Sequence, residues 1–249
     1  MDWQTRSRYL KAMGIPLWLP KAMDKPIEAA TVIASESIPL SPPPPPLAKS
    51  ASVEVVAASS PLTWPELQAA VEACTRCELH KTRTQTVFGS GNQQARCMII
   101  GEAPGAEEDR QGLPFVGKSG QLLTNMLAAI QLARSEIYIA NILKCRPPNN
   151  RDPKPEEAAC CRAYLERQIT LIQPKLILVV GRIAAHNLLQ TTTPLGRLRG
   201  QIHTLPQTKT PVIVTYHPAY LLRQPAEKRR AWQDLQLARD FLASLRSSP

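Results

Sequence analysis

The sequence predicts an α/β domain in which helices cover both faces of a parallel sheet, giving a three-layer α/β/α arrangement. Four short segments are almost uniformly apolar, and each is followed by a longer segment with helical periodicity. Strands that are apolar at nearly every position are typical of parallel sheets buried on both faces. The alternation of the two patterns therefore predicts a central sheet of four parallel strands.

The predicted elements begin at residue 63. A first helix opens with a threonine cap and an early proline in "TWPELQAAVEAC". The predicted strands are "RCMIIG", "IYIAN", "KLILVVG" and "PVIVTYH". The helices that follow them are "GQLLTNMLAAIQL", "PEEAACCRAYLERQITLI", "RIAAHNLLQ" and "EKRRAWQDLQLARDFLASL". We assign this domain to residues 63–246.

The N-terminal part of the chain has a different composition. Residues 1–23 contain the short helical pattern "WQTRSRYLKAM" followed by a Gly-Ile-Pro break, and no feature indicates what this segment binds. Residues 24–62 include five consecutive prolines among serines and alanines. Such a composition does not build a packed core and predicts a disordered linker. We expect a spacer, with a ligand for SH3-like domains as the alternative.

Charge and composition favour a nucleic-acid partner. The 249-residue chain has 30 Lys and Arg against 20 Asp and Glu, a net charge of +10, which attracts polyanions such as DNA or, alternatively, anionic lipid. No apolar run approaches the roughly 20 residues that span a bilayer, and no secretory signal is evident. We therefore expect a monomer without a membrane association, in the bacterial cytoplasm or nucleoid, with its six cysteines reduced.

Polar residues follow the predicted strands at their carboxyl ends. Glu102, Asn141, Gly181 and His217 each come directly after or at the end of one strand. Ligands of open parallel sheets bind beyond these ends, which share one edge of the sheet. We expect the four positions to converge on one site.

The residue types at this edge suit a planar heterocycle. Asn141 offers a donor and acceptors for the edge of a base, and His217 can donate a hydrogen bond to a developing oxyanion. Phe115, in the long turn "GEAPGAEEDRQGLPFVGKSG", offers a ring for stacking. Each residue alone has a purely structural alternative, as a turn former, a surface histidine or a core aromatic. Their combination favours the functional interpretation.

The cysteine spacing suggests a metal centre. Cys74 and Cys77 form a C-x2-C pair, which is a weak signal on its own. Cys97 begins a buried strand and is expected to pack as a small hydrophobic residue, whereas Cys145 lies in a proline-rich loop. Four thiolates suit either zinc or a [4Fe-4S] cluster, and scattered reduced thiols remain the alternative.

Four motifs resemble those of the family 4 uracil-DNA glycosylases, the iron–sulfur branch of the uracil-DNA glycosylase superfamily. They are "GEAPGAEED", "GLPFVGKSGQLL", "NILKCRPPNNRDP" and "YHPAYLLR", in that order, within residues 67–245. The resemblance implies a uracil-DNA glycosylase-like fold and a DNA repair enzyme. Its substrate would be uracil-containing DNA, from which it hydrolyses the N-glycosidic bond of uracil and leaves an abasic site.

The resemblance also implies site residues. A structural [4Fe-4S] cluster would be held by Cys74, Cys77, Cys145 and Cys161, since the family leaves fifteen residues between the last two cysteines and this selects Cys161 over Cys160. The uracil pocket would comprise Gly101, Glu102, Ala103, Phe115, Asn141 and His217.

The implied mechanism begins with flipping of the nucleotide out of the duplex. We expect His217 to stabilise the departing uracil and three arginines to grip phosphates, namely Arg197, Arg199 and Arg223. Leu221 or Leu222 would fill the gap in the base stack. Relatives in the wider superfamily carry a water-activating acid where this chain has Ala103. We expect Glu102 or Glu108 to take that role.

Three other interpretations are compatible with the sequence. The protein could bind uracil-containing DNA without catalysis and recruit repair partners. It could be a related enzyme that becomes covalently trapped on its product, although the basic insertion of such relatives is missing near His203. It could also be a zinc-binding regulatory protein.

Overall fold

The computed structural model describes Arg8 and residues 62–245. The predicted helical segment 1–23 lies outside the described residues except for Arg8, and the predicted linker 24–62 lies outside them except for Leu62. These two assignments and the assignment of residues 63–246 as one domain stay predictions.

A six-stranded sheet forms the centre of the described chain. In the spatial order β1-β3-β2-β4-β6-β5, its strands are β1 (Ser90–Gly91), β3 (Tyr138–Asn141), β2 (Cys97–Gly101), β4 (Leu176–Val180), β6 (Pro211–Thr215) and β5 (Ile202–Thr204). The four predicted strands are all present and pair in parallel as β3-β2-β4-β6. The sequence does not predict β1 and β5, which add a short antiparallel strand at each edge of these four.

Eight α-helices occur among the described residues: α1 (Trp64–Glu72), α2 (Ala106–Gln111), α3 (Lys118–Ala129), α4 (Pro155–Ile172), α5 (Arg182–Leu189), α6 (Leu195–Leu198), α7 (Pro218–Arg223) and α8 (Lys228–Ser244). The five helices expected from the sequence are α1, α3, α4, α5 and α8, and the short α2, α6 and α7 were not expected. None of the described helices has both the length and the apolar character needed to cross a bilayer.

Alternate residues of the central strands pack on opposite faces of the sheet. Ile177 and Val179 of β4 belong to one apolar cluster, together with Leu165 of α4 and Ala184 of α5. Their neighbours Leu176, Leu178 and Val180 belong to a second cluster, with residues of α3 and α8. Both faces are therefore covered by helices, which explains why these strands are apolar at every position. The three-layer prediction is confirmed.

The register of the strands places the expected site residues together. Gly101, the last residue of β2, pairs with Asn141, the last residue of β3. Val180 of β4 pairs with Thr215 of β6, so Gly181 and the segment leading to His217 leave the sheet at the same edge. The convergence predicted from parallel topology is confirmed.

Candidate active site

A cavity of about 430 Å³ opens at the carboxyl ends of the parallel strands. Seven residues that the sequence singles out line it, namely Glu102, Ala103, Glu108, Phe115, Asn141, His217 and Arg223. Three chain segments that are far apart in sequence thus meet around one hollow: the turn after β2, the end of β3 and the turn after β6.

Gly101 allows two of these side chains to approach the strand end. A Cβ atom at this position would overlap the Asn141 Oδ1 atom and would lie 2.6 Å from Phe115 Cζ. A larger residue here would displace the side chains of Asn141 and Phe115, which line the cavity. Gly101 therefore shapes the site by lacking a side chain.

Asn141 carries an unusual feature for a buried residue. It is only 2 % exposed, and its Oδ1 atom has no hydrogen-bond partner among the described residues. Leaving a buried acceptor unsatisfied costs about 1–3 kcal/mol. Because the same amide lines the cavity, its free acceptor is available to a ligand that brings a donor.

Phe115 is held in a strained backbone conformation. Its φ angle is 53°, in the left-handed region that non-glycine residues rarely adopt, and its ring is buried against the cavity. Gly120 makes this turn possible, because a Cβ atom there would overlap the carbonyl group of Phe115. The ring centroid lies 5.7 Å from that of His217, with 35° between the planes.

The Glu108 carboxylate accepts hydrogen bonds from backbone amides of the same turn. One carboxylate oxygen accepts hydrogen bonds from the amides of Val116 and Gly117, at 2.9 and 3.0 Å. The other accepts from the amide of Gly105 at 3.1 Å. The side chain is 8 % exposed, and both of its oxygens are used by the loop that carries Phe115. This arrangement fits a positioning role better than the expected activation of water.

His217 is present as one defined tautomer. Its Nδ1 atom accepts a hydrogen bond from the Ala219 amide at 3.1 Å, so the proton of the neutral ring resides on Nε2. Burial, followed by the charge of Arg223, lowers the pKa of His217 to about 4. The close approach depends on Gly181, which has a φ of 99° and would place a Cβ atom 3.0 Å from His217 Cβ. At neutral pH the ring is thus a neutral donor.

Glu102 lines the cavity, and its carboxyl group has a raised pKa. Burial raises the pKa of Glu102 to about 7, with a smaller contribution from the nearby Asp152 carboxylate, while Arg182 acts in the opposite direction. Asp152 and Arg182 form an ion pair of 3.2 Å at the rim. Neither residue was predicted as a site residue from the sequence, although Asp152 lies in the motif "NILKCRPPNNRDP", which begins at the end of β3.

Arg151 is a further cavity residue that was not selected from the sequence. It forms a bidentate ion pair with the buried Glu157 of α4. Nη1 donates to Oε2 at 2.9 Å, and Nη2 donates to Oε1 at 2.5 Å. Oε2 of Glu157 also accepts from the Lys154 amide, which caps α4. The start of α4 is therefore tied to the cavity wall.

The residues expected to contact DNA divide into two groups. Arg197, Arg223 and Leu222 are exposed, and Leu222 keeps 45 % of its surface accessible. Leu221 is fully buried against α3 and α8, so it is not available as a wedge. Arg199 is only 9 % exposed and pairs with Asp234 inside the protein, so its expected phosphate contact is not supported.

Electrostatic interactions link the thiols of the four expected cluster cysteines to one another. Cys145 and Cys161 are buried, and Cys74 and Cys77 are partly buried. Burial raises the pKa of the Cys145 thiol, and Cys77 and Cys74 contribute to the same effect. Burial likewise raises the pKa of Cys161 to about 11, with contributions from Cys145 and Cys77. No group of three or more His, Cys, Asp or Glu side chains in the described chain forms a ready-made metal site.

The surroundings of these thiols suit a negatively charged group. Arg83 donates from Nη1 to Cys145 Sγ at 3.0 Å, and Lys144 lies near Cys145 and Cys161. The Cys160 thiol instead donates to the carbonyl oxygen of Arg76 at 3.4 Å. Cys97 is buried in β2, as expected for a small hydrophobic residue. The four thiols, with the Arg83 guanidinium group beside Cys145, fit an iron–sulfur cluster, whose ligands are thiolates.

The fold and this site define an α/β protein with a cavity of about 430 Å³ at the carboxyl ends of its parallel strands. Residues 88–236 match the sequence profile of the Uracil DNA glycosylase superfamily. The chain therefore belongs to the uracil-DNA glycosylase superfamily.

Individual relatives point to one branch of it. The type-4 uracil-DNA glycosylase of Archaeoglobus fulgidus is 48 % identical over 62 % of this chain and 81 % of its own length. Those of Thermotoga maritima and Pyrobaculum aerophilum are 42 % and 39 % identical, each over 69 % of this chain and 91 % of the relative. The resemblance to the family 4 enzymes is thereby confirmed.

Proposed function

We propose that this protein is a DNA repair enzyme that flips uracil out of DNA and hydrolyses its N-glycosidic bond, leaving an abasic site. One observation carries the proposal: a single cavity combines the unpaired amide oxygen of Asn141, the ring of Phe115 and the Nε2 donor of His217. The names of the type-4 relatives support the same reaction.

Asn141 supplies the selectivity for uracil over cytosine. The Watson–Crick edge of uracil presents an N3–H donor next to a carbonyl acceptor, and an asparagine amide matches both. Cytosine presents an acceptor and an amine donor at the same two positions, so a fixed amide meets the wrong partner at each. The buried Oδ1 atom needs a donor, and the N3–H group of uracil supplies it.

His217 stabilises the leaving group. Cleavage of the glycosidic bond builds negative charge on uracil and positive charge on the sugar. The Nε2–H group of a neutral imidazole donates a hydrogen bond to the uracil oxygen that gains charge. Phe115 stacks on the base and holds it in the plane that this hydrogen bond requires.

Glu102 is the carboxylate that we assign to the attacking water or to the positively charged sugar. It lines the cavity, and with a pKa of about 7 it is partly ionised near neutral pH. Ala103 lines the wall where other members of the superfamily place an acid. Glu108 acts as a positioning residue, because its carboxylate is occupied by backbone amides.

Exposed basic residues, of which Arg223 lines the cavity, contact the DNA backbone. Arg197 and Arg223 bind phosphates, and Leu222 enters the gap that the flipped nucleotide leaves. Extruding the base costs about a few kcal/mol, which these contacts offset. We propose that the protein acts as a monomer in the cytoplasm or nucleoid, which gel filtration and microscopy can test.

Cys74, Cys77, Cys145 and Cys161 would hold a [4Fe-4S] cluster. When bound, the cluster cross-links three chain segments and has a structural role. The electrostatic interactions among the four thiols, the hydrogen bond from Arg83 to Cys145 and the likeness to type-4 enzymes support this assignment. No step of uracil removal depends on it.

The proposed activity is tested by incubating a uracil-containing oligonucleotide with the protein and then treating it with alkali. We expect strand cleavage at the uracil position with the wild type, a rate at least about 10²-fold lower with His217→Ala, and a rate roughly 5- to 150-fold lower with Asn141→Ala. A wild-type protein that shifts the DNA in a gel but leaves no abasic site would instead be a non-catalytic uracil-DNA binder.

A further inference from the structure

A buried ion pair lies behind the segment that carries His217. Asp234, on α8, is fully buried, and the side chain of Arg199 is 9 % exposed. Arg199 Nε donates to Asp234 Oδ2 at 2.7 Å, and Arg199 Nη2 donates to the carbonyl oxygen of Arg230 at 2.6 Å. The guanidinium group is thus fixed in direction by two partners on the same helix.

The other side of this guanidinium faces an aromatic stack. The Arg199 Cζ atom lies 4.3 Å from the centroid of the Tyr216 ring. Tyr216 stacks on Tyr220, with 5.1 Å between centroids and 30° between planes. Tyr220 in turn lines the cavity. A continuous series of contacts therefore runs from α8 to the cavity wall.

The two stacked tyrosines bracket the turn that holds the imidazole. Tyr216 directly precedes His217, and Tyr220 follows it by three positions. Between them lies Ala219, whose amide selects the tautomer of His217. The Tyr220 amide also donates to the carbonyl oxygen of His217 at 2.9 Å. Any shift of the stack would move this turn.

Stability alone is a poor explanation for the ion pair. Burial raises the pKa of Asp234 above its usual value, although Arg199 and Thr215 act in the opposite direction. Replacing a buried ion pair with apolar residues is often neutral or stabilising, so such a pair is weak evidence for a contribution to stability. Its position next to the His217 turn offers a functional explanation.

We propose that Arg199 and Asp234 are positioning residues that fix the Tyr216–Tyr220 stack and, through it, the orientation of His217. The inference rests on the proposed function, since it gives His217 a task in uracil removal. It assigns Arg199 to the inside of the enzyme, whereas its sequence alone suggested a phosphate contact.

The test compares Arg199→Met with the wild type and with Arg239→Met. The control replaces Arg239, which lies on α8 together with Asp234. Arg239 pairs with Asp240 and does not line the cavity. We expect Arg199→Met to lower the single-turnover rate of uracil release at saturating enzyme about 10²-fold, as small displacements of reacting groups do. Its DNA affinity should show the same salt dependence as that of the wild type, and the control should match the wild type in both.

Two further variants keep the test informative if Arg199→Met does not fold. The double variant Arg199→Met/Asp234→Leu leaves no unpaired buried charge, and Tyr216→Leu breaks the series of contacts while keeping the ion pair. Both should show the same loss of single-turnover rate with folded, DNA-binding protein, as checked by circular dichroism and gel shift. Wild-type rates in these variants would overturn the inference.

The salt dependence separates positioning from DNA contact. If Arg199 binds a phosphate, Arg199→Met lowers the slope of log affinity against log salt concentration by about one, and the inference is wrong. A wild-type protein that releases no uracil refutes the proposed function itself. An active wild type with an equally active Arg199→Met variant refutes only the positioning role.

Discussion

His217 illustrates how a single main-chain hydrogen bond sets the chemistry of a side chain. The Ala219 amide occupies Nδ1, and burial keeps the ring neutral, so Nε2 carries the only proton. A protonated ring would carry a hydrogen on Nδ1 and would lose the bond from Ala219. The turn therefore favours a neutral donor over an imidazolium ion.

The pH dependence of His217 follows from its pKa. Because the ring is neutral above a pKa of about 4, it should act as a neutral donor at pH 5 and lose the hydrogen bond from Ala219 only as the pH falls through about 4. Between pH 6.5 and 4 the unfolded chain binds the proton more readily than the folded protein, so acidification through this window lowers the free energy of unfolding.

Denaturant titrations of the wild type and of His217→Gln between pH 7 and pH 4 measure this effect. The wild type should lose more stability than the variant across the window. Equal losses would show that His217 has an ordinary pKa in the folded protein and would contradict the assigned neutral donor.

Asn141→Ala should separate activity from stability. The substitution removes a buried acceptor that has no partner, so we expect an unchanged or slightly higher melting temperature. The same change removes contacts to the uracil edge worth about 1–3 kcal/mol, which corresponds to a rate loss of roughly 5- to 150-fold. Differential scanning calorimetry and single-turnover kinetics measure the two quantities, and a parallel loss of both would indicate a structural residue.

The turn between β2 and α3 behaves as one element held by Glu108. Replacement of Glu108 with alanine removes three hydrogen bonds from backbone amides to a carboxylate. Since hydrogen bonds to charged groups contribute about 1.5–3 kcal/mol each, we expect marked destabilisation and a slower reaction through displacement of Phe115.

The variant Glu108→Gln refines this prediction. A glutamine oxygen can still accept from Val116 and Gly117, whereas the hydrogen bond from the Gly105 amide is lost. We expect stability and single-turnover rate to lie between those of the wild type and of Glu108→Ala. If Glu108 instead activated water, Glu108→Gln would be as inactive as Glu108→Ala although its stability would still be intermediate.

The elements of the core were predictable, and the small ones were not. The bounds of α4 agree with the sequence pattern at both ends, because a proline begins it and its apolar spacing is regular. The strands β1 and β5 have two and three residues and lack a buried apolar run, so no periodicity marks them. Leu221 and Leu222 are equivalent in sequence, and only the packing of α7 shows which one is buried.

At the scale of the whole molecule, topology explains why the site could be located from the sequence. Parallel strands put their carboxyl ends at one edge, and Glu102, Asn141 and His217 meet there. The role of Arg199 could not be predicted, because its partner Asp234 lies 35 positions further along the chain and only the fold brings them together. Charge patterns do not distinguish an exposed arginine from a buried one.

The proposed cluster connects segments across the molecule and should affect its stability. We expect protein purified without oxygen to contain about four iron and four sulfide ions per chain and to absorb in the visible range. Removal of the iron by a chelator should lower the melting temperature, and Cys161→Ser should do the same, whereas Cys160→Ser should retain iron. One zinc ion per chain and no colour would contradict the assignment.

The most direct test of the central claim is a crystal structure of the protein bound to an abasic oligonucleotide and free uracil. We predict that uracil stacks on Phe115 in the cavity at the carboxyl ends of the strands. Asn141 and His217 Nε2 should lie within hydrogen-bonding distance of its edge, with the abasic sugar beside Glu102. Uracil and the abasic sugar bound at a different surface, with this cavity unaltered, would contradict the account.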